Sequence, residues 1–86
     1  MYYVYILQCS DGSYYVGHTN NLHRRVTDHN AGIASRYTRD RTPARLLFSE
    51  PLPTRDEAVR RERQIKNWTR AKKEALIRGR SPRAMD

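Results

Sequence analysis

The chain has 86 residues, enough for one small domain; with 37% hydrophobic and 30% charged residues it is polar for a globular protein, yet too rich in Tyr, Ile, Leu and Val to be disordered. Its apolar runs are a few residues long against the roughly 18 a membrane span needs, and its N-terminus lacks the basic lead and cleavage site of a signal peptide. The net charge is +8, all 17 Lys and Arg fall in residues 21–86, and 14 of them are Arg, whose fork suits phosphate oxygens; a nucleic-acid partner is the leading expectation, a merely soluble basic surface the alternative.

Residues 2–9 and 13–18 are two β-forming runs separated by Ser10-Asp11-Gly12, a hairpin signal. A three-residue loop with a left-handed Gly12 pairs Cys9 with Ser13, Leu7 with Tyr15 and Tyr5 with Gly17. Tyr3, Tyr5, Leu7, Tyr15 and Gly17 then share one face, and Val4, Ile6, Tyr14 and Val16 the other; a one-residue slip would reverse this. The lone Cys9 can form neither an internal disulfide nor a Cys-rich zinc site, so a reducing cytoplasm is the expected home.

A helix follows, capped by Thr19 or Asn20, with Leu22, Val26 and His29 on one face and Gly32 at its end. Residues 33–43 read as a polar, Arg-rich loop, and 45–49 as a third strand. Thr54-Arg55-Asp56-Glu57 is a capping box opening a helix to about Asn67; Thr69 caps another that ends before Gly79. The expected fold class is α/β of the α+β type. A small, three-stranded, mostly antiparallel sheet is flanked by helices in the order β-β-α-β-α-α, in a single domain over 1–79 with a basic, flexible tail at 80–86.

Some residues break the pattern. Glu62 falls on the same stripe as Ala58 and Ile65, where the second long helix should face the core. A carboxylate there needs a cation, a strong donor set or a place at the rim; a salt bridge to an arginine and a metal or catalytic role both satisfy it. Five of the six tyrosines lie in the first 15 residues: β-propensity explains some, but two covered hydroxyls on adjacent strands need partners, and stacking on bases is another use. Arg25 and His29 share a helix face, although His29 also fits an ordinary surface or capping role. Residues 60–80 hold nine basic groups against Glu62 and Glu74, the best candidate DNA-contact face.

Tyr3-Val4-Tyr5, a turn and Tyr15-Val16-Gly17 resemble the paired motif of the GIY-YIG nuclease superfamily. The run Tyr-Val-Gly-His-Thr-Asn-Asn-Leu-His-Arg-Arg at 15–25 is similar to the strand-to-helix segment of UvrC-type excision nucleases and intron-encoded endonucleases. Tyr5 and Tyr15 are ten apart and Arg25 lies ten beyond, both spacings suiting that family. His29-Asn30, Tyr37-Thr38-Arg39, Pro43 and Glu62-Arg63-Gln64-Ile65-Lys66 resemble its small stand-alone bacterial branch, which is similar to the nuclease domain of structure-selective junction endonucleases. Two positions depart: Tyr3 stands where the motif usually has Gly, and His18 where some relatives carry Lys and others a small residue.

The resemblance implies a metal-dependent DNA endonuclease, acting on branched or damaged DNA in repair or recombination, with a non-catalytic nucleic-acid-binding module as the alternative. It implies one Mg²⁺ or Mn²⁺ ion on Glu62, Arg25 on the scissile phosphate and Tyr15 as the leading general base. Tyr5 would orient water or assist that base, and His29 would contact phosphate or assist proton transfer; Gly17 is structural in the motif. Arg24, Arg36, Arg39, Arg63, Lys66 and Arg70 are the candidate nucleic-acid contacts. Composition fits DNA and RNA alike, and target choice rests with this domain or with a protein partner.

Overall fold

A computed structural model describes residues 1–79; the tail expected at 80–86 lies outside the described residues. The hairpin is built as its turn chemistry requires. β1 (Tyr2–Gln8) and β2 (Tyr14–Thr19) run antiparallel with Tyr5 opposite Gly17 and Leu7 opposite Tyr15. The Cys9 amide donates to the Ser13 carbonyl at 2.8 Å, and Gly12 sits at φ +86°, a region where a side chain would be strained. β3 (Arg45–Leu52) pairs antiparallel with the other edge of β1, giving the sheet order β2-β1-β3, with an irregularity in register between Ile6 and Leu7.

β1 is central and Val4, Tyr5, Ile6 and Leu7 are each fully buried, so both faces of the sheet are covered. On one face Val4, Ile6 and Val16 pack against Ala58, Ile65 and Leu76 of α3 (Arg55–Lys66) and α4 (Arg70–Ile77). On the other, Tyr5, Leu7 and Ala44 meet Tyr15 and the Leu22 and Val26 side chains of α1 (Leu22–Asn30). Each such aliphatic side chain, fully removed from water, contributes roughly 1.5–3 kcal/mol. The domain therefore has two small cores separated by the sheet.

The helix caps follow the sequence with one correction. Thr54 accepts from the Glu57 amide and Thr69 from the Lys72 amide, as expected. α1 is capped by Asn21, whose side chain accepts from the Arg24 amide, not by Thr19 or Asn20. Thr19 is the last residue of β2, and its hydroxyl instead accepts from the Asn21 amide at 3.1 Å, bracing the residue that does the capping. Gly32, at φ +80°, closes α1 with its amide on the His29 carbonyl. Within the stretch expected as loop, Arg36–Arg39 forms a single helical turn, α2, capped by the Ser35 hydroxyl on the Tyr37 amide. Nothing periodic in so short a turn marks it in the sequence.

Candidate active site

The site begins with Tyr5. Its ring crosses the backbone of Gly17 so closely that a Cβ there would lie 2.5 Å from the hydroxyl. That hydroxyl lies 2.9 Å from His29 Nε2, and His29 Nδ1 lies 2.7 Å from Thr38 Oγ1; all three side chains are fully buried. α1 supplies His29 and α2 supplies Thr38, so the one-turn helix closes the pocket over the sheet.

Tyr15 stands beside this row on the same face, as the hairpin register requires. Its ring centroid is 6.5 Å from that of Tyr5 and 5.0 Å from that of His29, the latter edge-on. Tyr37 stacks against Tyr15 at 6.1 Å, and the Arg41 guanidinium lies 4.0 Å from the Tyr37 ring centre. Arg41 is held by Asp11 of the hairpin turn at 3.0 Å and by the Tyr37 carbonyl at 2.8 Å. A continuous chain of contacts thus runs from the turn through Arg41 and Tyr37 to the tyrosine pair.

Burial sets the electrostatics. It pushes the Tyr5 hydroxyl up to about 12, helped by the neighbouring Tyr15 and by the negative charge of Glu62, while the Arg25 guanidinium and its N–H donors pull the other way. Burial lowers His29 below the usual histidine range, and the positive charge of Arg25 adds to this. Tyr5 is therefore a phenol and His29 a neutral imidazole at physiological pH. Arg25, half-buried one turn before His29, also lines a polar hollow with Thr19, Asn20, Asn21, Arg24 and Asp28.

Glu62 approaches from the other side of the sheet, on α3. Its Oε1 lies 2.6 Å from His18 Nδ1 and its Oε2 2.8 Å from Lys66 Nζ. Burial alone would raise its pKa, but the hydrogen bonds and charges of Lys66 and His18 outweigh it and hold the carboxyl below the usual range. The anomalous carboxylate of the α3 stripe is thus an ionised group at the rim of the core, 16% exposed, whose partners are lysine and histidine in place of arginine. A hard, ionised oxygen pair suits Mg²⁺ or Mn²⁺. Among the described residues no group of three or more His, Cys, Asp or Glu could hold a metal, so water and phosphate oxygens would complete the shell around Glu62.

The sequence-derived residues fall into distinct groups. Tyr5, Tyr15, Arg25 and His29 come together on one face, with Gly17 beneath them and the charge of Glu62 felt at Tyr5. Arg24, Arg36 and Arg39 are exposed on α1 and α2, the pocket side; Arg24 lies 4.0 Å from Asp28 and Arg39 3.7 Å from Asp40. Arg63 is exposed on α3, along a groove with Arg60 and Gln64. Lys66 is engaged with Glu62. Arg70 is exposed but tied to the hairpin: it donates to the Gly12 carbonyl at 3.0 Å, lies over the Tyr14 ring and pairs with Glu74.

Thr38 and the pairing role of His18 were missed. His18 was findable, since the register that aligns Tyr5 with Gly17 places His18 opposite Val4, on the α3 face. Thr38 carries no such signal, because its partner comes from another helix.

A tyrosine pair, a histidine and an arginine on a hairpin-and-helix frame, with a carboxylate from a later helix, make up the candidate site. The GIY-YIG catalytic domain model matches residues 1–75, and the chain belongs to that family. It is 51% identical over 77 residues to a UPF0213 protein of Halobacterium salinarum, covering 90% of this chain and all of that one. A UPF0213 protein of Bacillus pumilus is 45% identical, over 88% of this chain and 78% of its own. Two solution NMR structures resemble the fold. A UPF0213 protein from Bacillus halodurans has TM-score 0.57 at 45% identity, over 90% of this chain and 83% of that one. A protein from E. faecalis has TM-score 0.61 at 39% identity, over 91% and 83%.

Proposed function

We propose that this member of a nuclease family is a divalent-metal-dependent endonuclease that hydrolyses DNA phosphodiester bonds, with branched or damaged DNA in repair or recombination as its substrate class. The observation that carries this reading is the buried Tyr5–His29 contact at 2.9 Å, with Tyr15 and Arg25 beside it and ionised Glu62 near enough to act on Tyr5. These groups have separate uses. Arg25 offers a fork of donors to the scissile phosphate, where charge collects in the transition state. The tyrosine pair receives the proton of the attacking water. Tyr5 is held too firmly as a phenol to act as a free phenolate, so it can take that proton only by giving its own to His29. Tyr15, against the edge of His29, is placed to orient the water or to share that duty.

Glu62 would hold the Mg²⁺ or Mn²⁺ ion, which when bound supplies positive charge to the phosphate oxygens. In this structure both carboxylate oxygens are already engaged by side chains of the protein itself, Lys66 and His18. That arrangement favours a second reading, a nucleic-acid-binding module that keeps the fold and never recruits metal.

The two readings separate on Glu62→Gln and Arg25→Ala. Purified protein should cut labelled flap or branched DNA in Mg²⁺ or Mn²⁺ and not in chelator. Glu62→Gln should abolish cleavage while metal-free DNA affinity holds or tightens. Arg25→Ala should lower the rate by about 10²–10³ and also weaken binding. A destabilised but still active Glu62→Gln protein ends the metal-ligand assignment; intact binding with no cleavage of any substrate establishes the binding module.

A further inference from the structure

We propose that Thr38 is a positioning residue of this site, holding His29 in the tautomer whose Nε2 accepts the Tyr5 proton. The consequence for cleavage rests on the nuclease reading; the tautomer itself does not.

A neutral imidazole has one N–H and one lone pair, so the row Tyr5–His29–Thr38 has only two arrangements. In the first, the Tyr5 hydroxyl donates to Nε2, Nδ1–H donates to the Thr38 oxygen, and the Thr38 hydroxyl donates onward to the Ser35 carbonyl at 3.4 Å. In the second, Thr38 donates to Nδ1, Nε2–H donates to the Tyr5 oxygen, and the Tyr5 proton must find another acceptor. Tyr5 is fully buried; of the other polar groups that act on its oxygen, Tyr15 and Glu62 make no hydrogen bond to it, and Arg25 can only donate. The second arrangement therefore strands a buried hydroxyl proton, a costly outcome, whereas the first satisfies every group. Among the described residues no buried side-chain nitrogen or oxygen lacks a partner.

The first arrangement also gives the site its direction. The Tyr5 oxygen keeps its lone pairs for Arg25, and for the water that substrate would bring into the site, while its proton faces His29. When water is activated, its proton goes to the Tyr5 oxygen as the Tyr5 proton passes to Nε2. The imidazolium so formed still donates Nδ1–H to Thr38, and the proton count closes with no other acceptor. Without the Thr38 oxygen, Nδ1–H has no partner, and the ring gains more by turning its proton onto Tyr5. Tyr5 would then be an acceptor only, and the route for the proton would be shut.

The test is heteronuclear NMR of the ¹⁵N-labelled protein, which identifies the protonated ring nitrogen of His29, together with cleavage kinetics on branched DNA in Mg²⁺. Wild type should carry Nδ1–H. Thr38→Val, nearly isosteric, should shift His29 to Nε2–H, and Thr38→Ser should restore Nδ1–H. kcat should fall about ten- to a hundredfold in Thr38→Val with KM unchanged, and recover in Thr38→Ser. An Nε2–H tautomer in wild type overturns the proposal, and so does a Thr38→Val protein that keeps Nδ1–H or loses activity through KM. Should Thr38→Val not fold, the wild-type tautomer and Thr38→Ala decide in its place. If wild type cleaves no DNA, the nuclease reading falls while the tautomer measurements still judge Thr38.

Discussion

Tyr5 can reach His29 only because residue 17 has no side chain. Gly17 lies in an ordinary strand conformation, so what the position demands is space: a Cβ would come within 2.5 Å of the Tyr5 hydroxyl oxygen and 2.7 Å of the ring carbon that bears it. Those atoms belong to a fully buried ring in contact with His29 and Tyr15, so the ring has little room to give. Gly17→Ala should therefore lower stability by about 1–3 kcal/mol, the usual cost of overpacking a core. It should also lengthen the 2.9 Å contact on which the proposed proton transfer depends. Cleavage measured well below the melting temperature of the variant should drop at least tenfold, since the surviving folded protein has a displaced Tyr5. Full activity in a folded Gly17→Ala protein would show that the placement of Tyr5 is unimportant for chemistry.

The elements divide the site between them by face. The hairpin brings Tyr5 and Tyr15 to one face of the sheet, α1 and α2 cover them with His29 and Thr38, and α3 lays Glu62 against His18 on the other. Most of this scaffold was legible because its signals are local. Asp11-Gly12 dictates the loop, the loop dictates the register, and the register decides which tyrosines share a face. Thr54 and Thr69 declare the starts of α3 and α4 in the same way. What was not legible depends on contacts between elements: His29 with Thr38, Arg70 with Gly12 and Tyr14. The start of α1 lay within reach but was obscured by three adjacent polar residues of capping type, of which Thr19 is spent bracing Asn21. Thr54→Ala tests the local part. It removes the hydroxyl that accepts from the Glu57 amide, two turns away from Glu62, and should cost about 1 kcal/mol. Chemical denaturation should show a lower midpoint with an unchanged slope, and kcat at low temperature should stay at the wild-type value. A large fall in kcat would mean that the start of α3 controls where Glu62 sits.

At the scale of the whole molecule the question is which side meets the polyanion. The charge of +8 does not decide it, because basic residues lie on both sides of the sheet. Arg24, Arg25, Arg36 and Arg39 ride α1 and α2 around the tyrosine pocket. Arg60, Arg61 and Arg63 line a groove along α3, where Arg61 is already tied to Glu50 at 2.9 Å and lies over Trp68. A strand whose phosphate is to reach Arg25 must lie on the pocket side. With about five contacts there, log affinity for duplex DNA should fall against log salt with a slope of roughly −4.5, since each neutralised phosphate releases its counterions. Arg36→Ala and Arg39→Ala should each flatten that slope by about one, as the loss of one phosphate contact does, while Arg60→Ala and Arg63→Ala should leave it nearly unchanged. Fluorescence anisotropy in chelator, across a salt series, measures all five proteins without cleavage intervening. A slope near zero in wild type would remove the basic surface from DNA binding altogether. A slope that responds only to the α3 pair would seat the DNA across the sheet from Arg25 and separate the binding surface from the tyrosine pocket.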